Sequence, residues 1–208
     1  MTGVQTCALP ISILRQKQKP NMVKIIVCLT GMPGAGKSTI ATGLQKKGFV
    51  CINMGDAVRS EAKKRNLEPT GENLGKLMLE LREKNGLGAV AKLIKDQITN
   101  TDSDVVVIDG VRSNAEIEVL KKITTVKLLA VHASTDTRYT FLSTRQRTDD
   151  PNNRQSFDER DNREISVGIS ASIALADETL SNNNLTVEQL VDTAYSIILK
   201  WLDTSSYL

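Results

Sequence analysis

Gly31-Met32-Pro33-Gly34-Ala35-Gly36-Lys37-Ser38-Thr39 decides the fold. It has the form G-x-x-x-x-G-K-[ST], the phosphate-binding P-loop. A β-branched run, Lys24 to Thr30, leads into it, and a helix-like segment, Ser38 to Lys47, leads out. Gly31, Gly34 and Gly36 lack a Cβ, so the backbone can take unusual angles and come close to a phosphate. Successive N–H groups then form an anion nest at a helix N-terminus. Lys37 adds a point charge for the β- and γ-phosphates, and the Ser38 hydroxyl can ligate Mg²⁺. The glycine spacing is not that of the dinucleotide fingerprint.

Upstream of the loop, residues 1–21 stand apart. Residues 3–12 resemble the conceptual translation of a sequencing-library adaptor. We read 1–21 as an artefactual or disordered leader, Met22 as the initiator, and 22–208 as a single domain. The stretch has no early positive charge, and Pro10 and Ser12 break its apolar run, so it is no secretory signal. It carries Arg15, Lys17 and Lys19 and no acid, and accounts for the whole formal charge of +3. The remainder balances 24 bases against 24 acids. Neither a nucleic-acid partner nor a membrane surface is expected. No apolar run approaches membrane-spanning length. Beyond Cys7 in the leader, Cys28 and Cys51 read as small core residues of a cytoplasmic protein.

Downstream, Phe49–Asn53 reads as a second strand. Gly55, Asp56 and Arg59 follow at its C-terminal end, the edge where ligands bind in open α/β sheets. Asp56 is placed as the N-cap of a helix, and Arg59, one turn in, can reach a phosphate bidentately. Residues 62–99 are helical and charged, with Leu74, Leu77, Met78 and Leu81 at core spacing. Residues 54–99 are the natural place for an acceptor-binding region.

Asp104–Asp109 is the clearest strand, a β-branched run ending in Asp109-Gly110-Val111-Arg112. An apolar strand ending in Asp is the Walker-B pattern, with Asp109 serving Mg²⁺. Arg112 lies within reach of an acceptor phosphate. Ser113–Glu116 is a capping box. Val126–Val131 is a fourth strand, and His132 at its end reads as structural. Helices over 136–148 and 156–166 carry Arg138, Arg145, Arg147, Arg160 and Arg163 around a polar loop. Residues 138–163 therefore read as a lid whose arginines neutralise a transferring phosphoryl group. A weak fifth strand spans 178–182. A second capping box, Thr186–Gln189, opens the last helix.

These residues resemble the adenylate-kinase-like nucleotide kinases. The closer likeness is to an archaeal family labelled adenylate-kinase-related or dephospho-CoA-kinase-like. Its phrases stand here at Gly31–Lys37, Met54–Arg59, Glu68–Lys76, Val105–Ser113 and Asp149–Pro151. The resemblance implies an α/β P-loop NTPase fold with a five-stranded parallel sheet covered on both faces. It implies that ATP and Mg²⁺ occupy Gly31–Thr39, with Ser38 and Asp109 at the metal. Gly55, Asp56, Arg59, Asp109, Gly110 and Arg112 would form the acceptor site, and Lys37, Arg145, Arg147, Arg160 and Asp109 the catalytic set. The D-G-x-R turn is one residue shorter than D-G-x-x-R, and there is no four-cysteine zinc lid. The expected activity is ATP-dependent transfer to a nucleotide-like monophosphate, AMP favoured. The alternatives are dephospho-CoA phosphorylation, a non-enzymatic ATP or AMP sensor, and a simple ATPase.

Overall fold

The computed structural model describes residues 23–145, 147 and 150–205. The expected leader lies outside them, as do Gln146, Thr148 and Asp149 in the polar loop of the expected lid. Five strands form one parallel sheet: β1 (Ile25–Thr30), β2 (Val50–Asn53), β3 (Val105–Asp109), β4 (Thr125–His132) and β5 (Glu178–Ser181), in the spatial order β2-β3-β1-β4-β5. The helices of the first half are α1 (Lys37–Lys46), α2 (Met54–Lys64), α3 (Gly71–Asn85), α4 (Ala89–Thr99) and α5 (Asn114–Lys121). Those of the second are α6 (Thr135–Arg145), α7 (Arg154–Ser166), α8 (Ile169–Ala174) and α9 (Val187–Ser205).

Why β1 and β3 are apolar at every position follows from their cover. Strand side chains alternate between the two faces of a sheet. On one face Ile26, Cys28, Val106 and Ile108 pack with α2, α3, α4 and α5. On the other Ile25, Val27, Leu29, Val105 and Val107 pack with α1 and α9. With aliphatic cover on both sides, neither face tolerates a polar residue until the strand ends. Thr30 and Asp109 are those ends, and both are buried.

The register then assembles the site. Leu29 and Asn53 both stand opposite Asp109, so the ends of β1, β2 and β3 meet at one edge. The expected strands and helices are present with ends shifted by a few residues. One local expectation is corrected. Asp56 is not the cap of α2: β2 runs straight into the helix, and Asn53, its last residue, is the cap, with its side chain accepting the Asp56 N–H at 3.1 Å. Among the described residues no helix is long and apolar enough to cross a membrane.

Candidate functional site

The loop between β1 and α1 is pressed against the end of β4. Gly31 has φ 135°, and a Cβ there would lie 2.1 Å from the Val131 carbonyl oxygen. Gly34, at φ 83°, would place a Cβ 2.7 Å from the Arg138 carbonyl oxygen. These contacts, not flexibility, demand glycine. Gly36 precedes α1 with no side-chain cap, and no acid lies in the first turn of the helix. Its leading N–H groups are thereby left for an anion. Ala35 is fully buried, and its carbonyl accepts from Asn182 Nδ2 at 3.0 Å, a floor contact that no sequence motif announced.

Lys37 Nζ donates to the carbonyls of Gly31 at 2.6 Å and Met32 at 3.1 Å. Burial pulls its ammonium down from 10.5 to about 8, against the opposing pull of Asp109. Asp109 Oδ2 accepts from Ser38 Oγ at 2.9 Å and from Asn53 Nδ2 at 2.7 Å. Asn53 thus uses both ends of its amide, one to start α2 and one to hold the carboxylate. A hydroxyl and a carboxylate together at the loop are hard oxygen donors of the kind Mg²⁺ takes alongside water and phosphate oxygens. The residues present fit that ion.

Two further arginines line the same cleft, each held by an acid. Asp56 Oδ1 accepts from Arg59 Nε at 3.1 Å and Nη2 at 2.5 Å. Asp56 is exposed and does not line the cleft; Arg59 does. Arg112 Nε donates to Glu164 Oε2 on α7 at 2.6 Å, and its Nη1 to the Gly110 carbonyl at 3.1 Å. Burial opposes charge on Glu164, but the guanidiniums of Arg112 and Arg160 outweigh it and hold the carboxyl below the usual carboxylate range. Glu164 in turn holds Arg112 above its ordinary value. The Arg112 backbone is fixed separately: its N–H donates to Glu116 Oε2 at 2.7 Å. Glu116, fully buried, completes the Ser113 capping box and pairs with buried Arg82 of α3 at 2.9 Å.

The α6–α7 pair brings the remaining arginines. Asp150 accepts from Arg145 Nε at 3.0 Å and also from Arg145 Nη2, from the Arg147 N–H at 2.9 Å, and from Arg160 Nη1 at 3.4 Å. Arg138, grouped with these in the sequence, is instead buried and structural. It forks onto Asp161 at 2.9 and 2.5 Å and donates to the Pro33 carbonyl at 3.1 Å, tying both helices to the loop. Tyr139 meets Phe157 edge-on at 5.4 Å, and Phe157 is fully buried. Arg160 and Arg163, three apart, were expected on one face but diverge. Arg160 enters the cleft, whereas Arg163 lies against Gly75 of α3.

The result is an open cleft of about 770 Å³. Of the residues singled out in the sequence, it takes in Gly31, Pro33, Gly34, Gly36, Lys37, Ser38 and Thr39 from the loop. It also takes in Gly55, Arg59, Asp109, Gly110, Arg112, Arg145, Arg147 and Arg160. Met32, Ala35 and Asp56 stand behind its wall. Asn53, Glu164 and Asn182 line it and were missed. Residues 185–187 and Leu190 also line it.

A five-stranded parallel sheet with a glycine-rich loop at the end of its central strand defines the P-loop fold. A family model described as an AAA domain matches residues 30–158. A UPF0200 protein of Pyrococcus abyssi is 41% identical over 165 residues, covering 77% of this chain and 88% of that protein. One from Thermococcus kodakarensis is 41% identical over 183 residues, 83% of this chain and 99% of that protein. The chain belongs to the UPF0200 family. In fold it is similar to TT1252 from Thermus thermophilus, with TM-score 0.64 at 16% identity, over 86% of this chain and 98% of that one. It is similar also to shikimate kinase from Acinetobacter baumannii, with TM-score 0.55 at 15% identity, over 86% and 94%.

Proposed function

We propose that this protein is a cytoplasmic ATP-dependent phosphotransferase whose acceptor is a nucleotide-like monophosphate, AMP favoured. One observation carries the reading. A single cleft holds a phosphate-binding loop with its lysine and two further arginines, Arg59 and Arg112, from the ends of other strands. A protein that only holds ATP has no use for that second set of cations.

In this reading the first turn of α1 and Lys37 bind the donor's β- and γ-phosphates. Ser38 and Asp109 hold Mg²⁺, with Asn53 orienting the carboxylate. Bound there, the metal would neutralise charge on the β- and γ-oxygens. Arg59 and Arg112 orient the acceptor phosphate. Arg145 and Arg160, gathered by Asp150 on the α6–α7 pair, act as a lid and stabilise charge on the phosphoryl group in flight; Arg147 joins them. The acceptor oxygen is already anionic, so no strong general base is required. Catalysis is positioning and electrostatics.

ADP release with Mg·ATP across a panel of nucleoside monophosphates and dephospho-CoA tests the reading. One acceptor should stimulate turnover. Lys37→Ala should cut kcat by about a hundredfold or more. Arg59→Ala should raise the acceptor KM by about tenfold. Stimulation by dephospho-CoA alone would replace the acceptor assigned here. Tight AMP binding with no turnover on any acceptor would overturn the kinase reading in favour of a sensor.

A further inference from the structure

Among the described residues, the charged ones lining the cleft are cations, with two exceptions, Asp109 and Glu164. Asp109 belongs with Ser38. Glu164 has no counterpart in the loop chemistry, yet its side chain is only 5% exposed and ion-paired to Arg112. A buried acid so placed is a candidate base, but two guanidiniums stabilise its charged form and make it a poor proton acceptor. Its geometry fits another role. A carboxylate offers a guanidinium oxygens much as a phosphate monoester does.

We propose that Glu164 is an internal stand-in for the acceptor phosphate. It holds Arg112 until a substrate phosphate takes its place, and the displaced carboxylate then turns to Arg160 and so repositions that arginine. The proposal rests on the reading of Arg112 as an acceptor contact.

The structure says which partner gives way. The Arg112 turn is immobilised from behind, because Glu116 accepts both the Arg112 and Ser113 N–H groups and is itself locked to Arg82. Helix α7 is itself held in place, to α6 through Arg138–Asp161 and Tyr139–Phe157 and to α3 where Arg163 lies against Gly75. With both backbones fixed, the Glu164 side chain is the part that turns away, and Arg112 stays. A buried carboxylate that loses its partner is strongly destabilised. Arg160, one turn back on the same helix, is the cation left to it, and Arg160 also pairs with Asp150. Acceptor-site occupancy is thereby transmitted to an arginine on the donor side. Such coupling is reciprocal: the donor must alter anion affinity at Arg112 by the same factor that the anion alters donor affinity.

Inorganic phosphate is the probe, titrated calorimetrically into full-length protein saturated with Mg²⁺ and a non-hydrolysable ATP analogue. Glu164→Gln, which keeps shape and removes charge, should bind phosphate about tenfold more tightly than wild type. Saturating phosphate should change analogue affinity in the wild type and leave it unchanged in the variant. If Glu164→Gln does not fold, Glu164→Asp, which withdraws the carboxylate by one methylene, should shift phosphate binding in the same direction. Phosphate binding that is unaltered, weaker or undetectable in the folded variant overturns the proposal. The experiment needs no turnover, so its failure is distinct from absence of ADP release on every acceptor.

Discussion

Lys37 is a half-buried ammonium whose protons lie on the carbonyls of its own loop, and its titration gives the site a pH signature. Folding lowers its pKa from 10.5 to about 8 through burial. Well below pH 8 the charge is present in folded and unfolded chains, and the burial penalty is felt in full. Between about 8 and 10.5 the folded chain sheds the proton first, and that penalty is progressively relieved. A bound polyphosphate acts in the opposite sense, because it favours the charged form. Triphosphate affinity should therefore fall as pH rises through 8 toward 10.5, with proton uptake on binding in that window. Calorimetry in buffers of different ionisation enthalpy checks it, and pH-independent binding would contradict it. Lys37 was legible in the sequence because its motif is local. Asn53, Glu164 and Asn182 were not, because each acts on a residue brought to it by the fold. Asn53 meets Asp109 only through the β2–β3 register, and Glu164 meets Arg112 across 52 residues. Asparagine and glutamate at such places carry no spacing signal.

Elements repeat the distinction. Both capping boxes, Ser113 with Glu116 and Thr186 with Gln189, stand as the local pattern predicts, since four consecutive residues contain the whole interaction. The cap of α2 was misplaced by three residues because β2 and α2 share a boundary with no loop between them. Arg138 was misread for the opposite reason. Its spacing suits a solvent-facing lid helix, but Asp161 and the Pro33 carbonyl draw it inward. The α1–α9 contact depends on a residue whose part was equally hidden. Gly43, midway along α1, faces Val191, and a Cβ there would lie 2.3 Å from Val191 Cγ2. Two helices approach here with no room for a methyl group. Gly43→Ala gains helix propensity of about 1 kcal/mol, yet overpacking of this kind costs about 1–3 kcal/mol. The variant should be destabilised in urea by about 1 kcal/mol net, and Gly43→Ala combined with Val191→Ala should recover part of the loss. A stabilised single variant would show that α9 moves freely.

For the molecule as a whole, the kinase-type P-loop fold was readable because its central strands are unbroken aliphatic runs with a glycine loop at one end. Which strand lies in the middle is a long-range fact, carried by the family likeness and not by periodicity. That arrangement has a consequence for synthesis. Strand β1 is made first, yet its neighbours in the sheet arrive 80 and 100 residues later. At roughly 5–20 residues per second, a nascent chain spends on the order of 5–20 seconds with its loop segment out of the ribosome and no sheet to carry it. Gly31 finds its floor only when Val131 at the end of β4 has emerged. On ribosome-stalled chains of increasing length, crosslinking to a photoreactive ATP analogue should stay at background until β4 has cleared the exit tunnel. Signal from chains ending before β4 would contradict this. The phosphate-binding loop is thus synthesised well before the strand that completes it, and an unfinished chain holds the loop without its support.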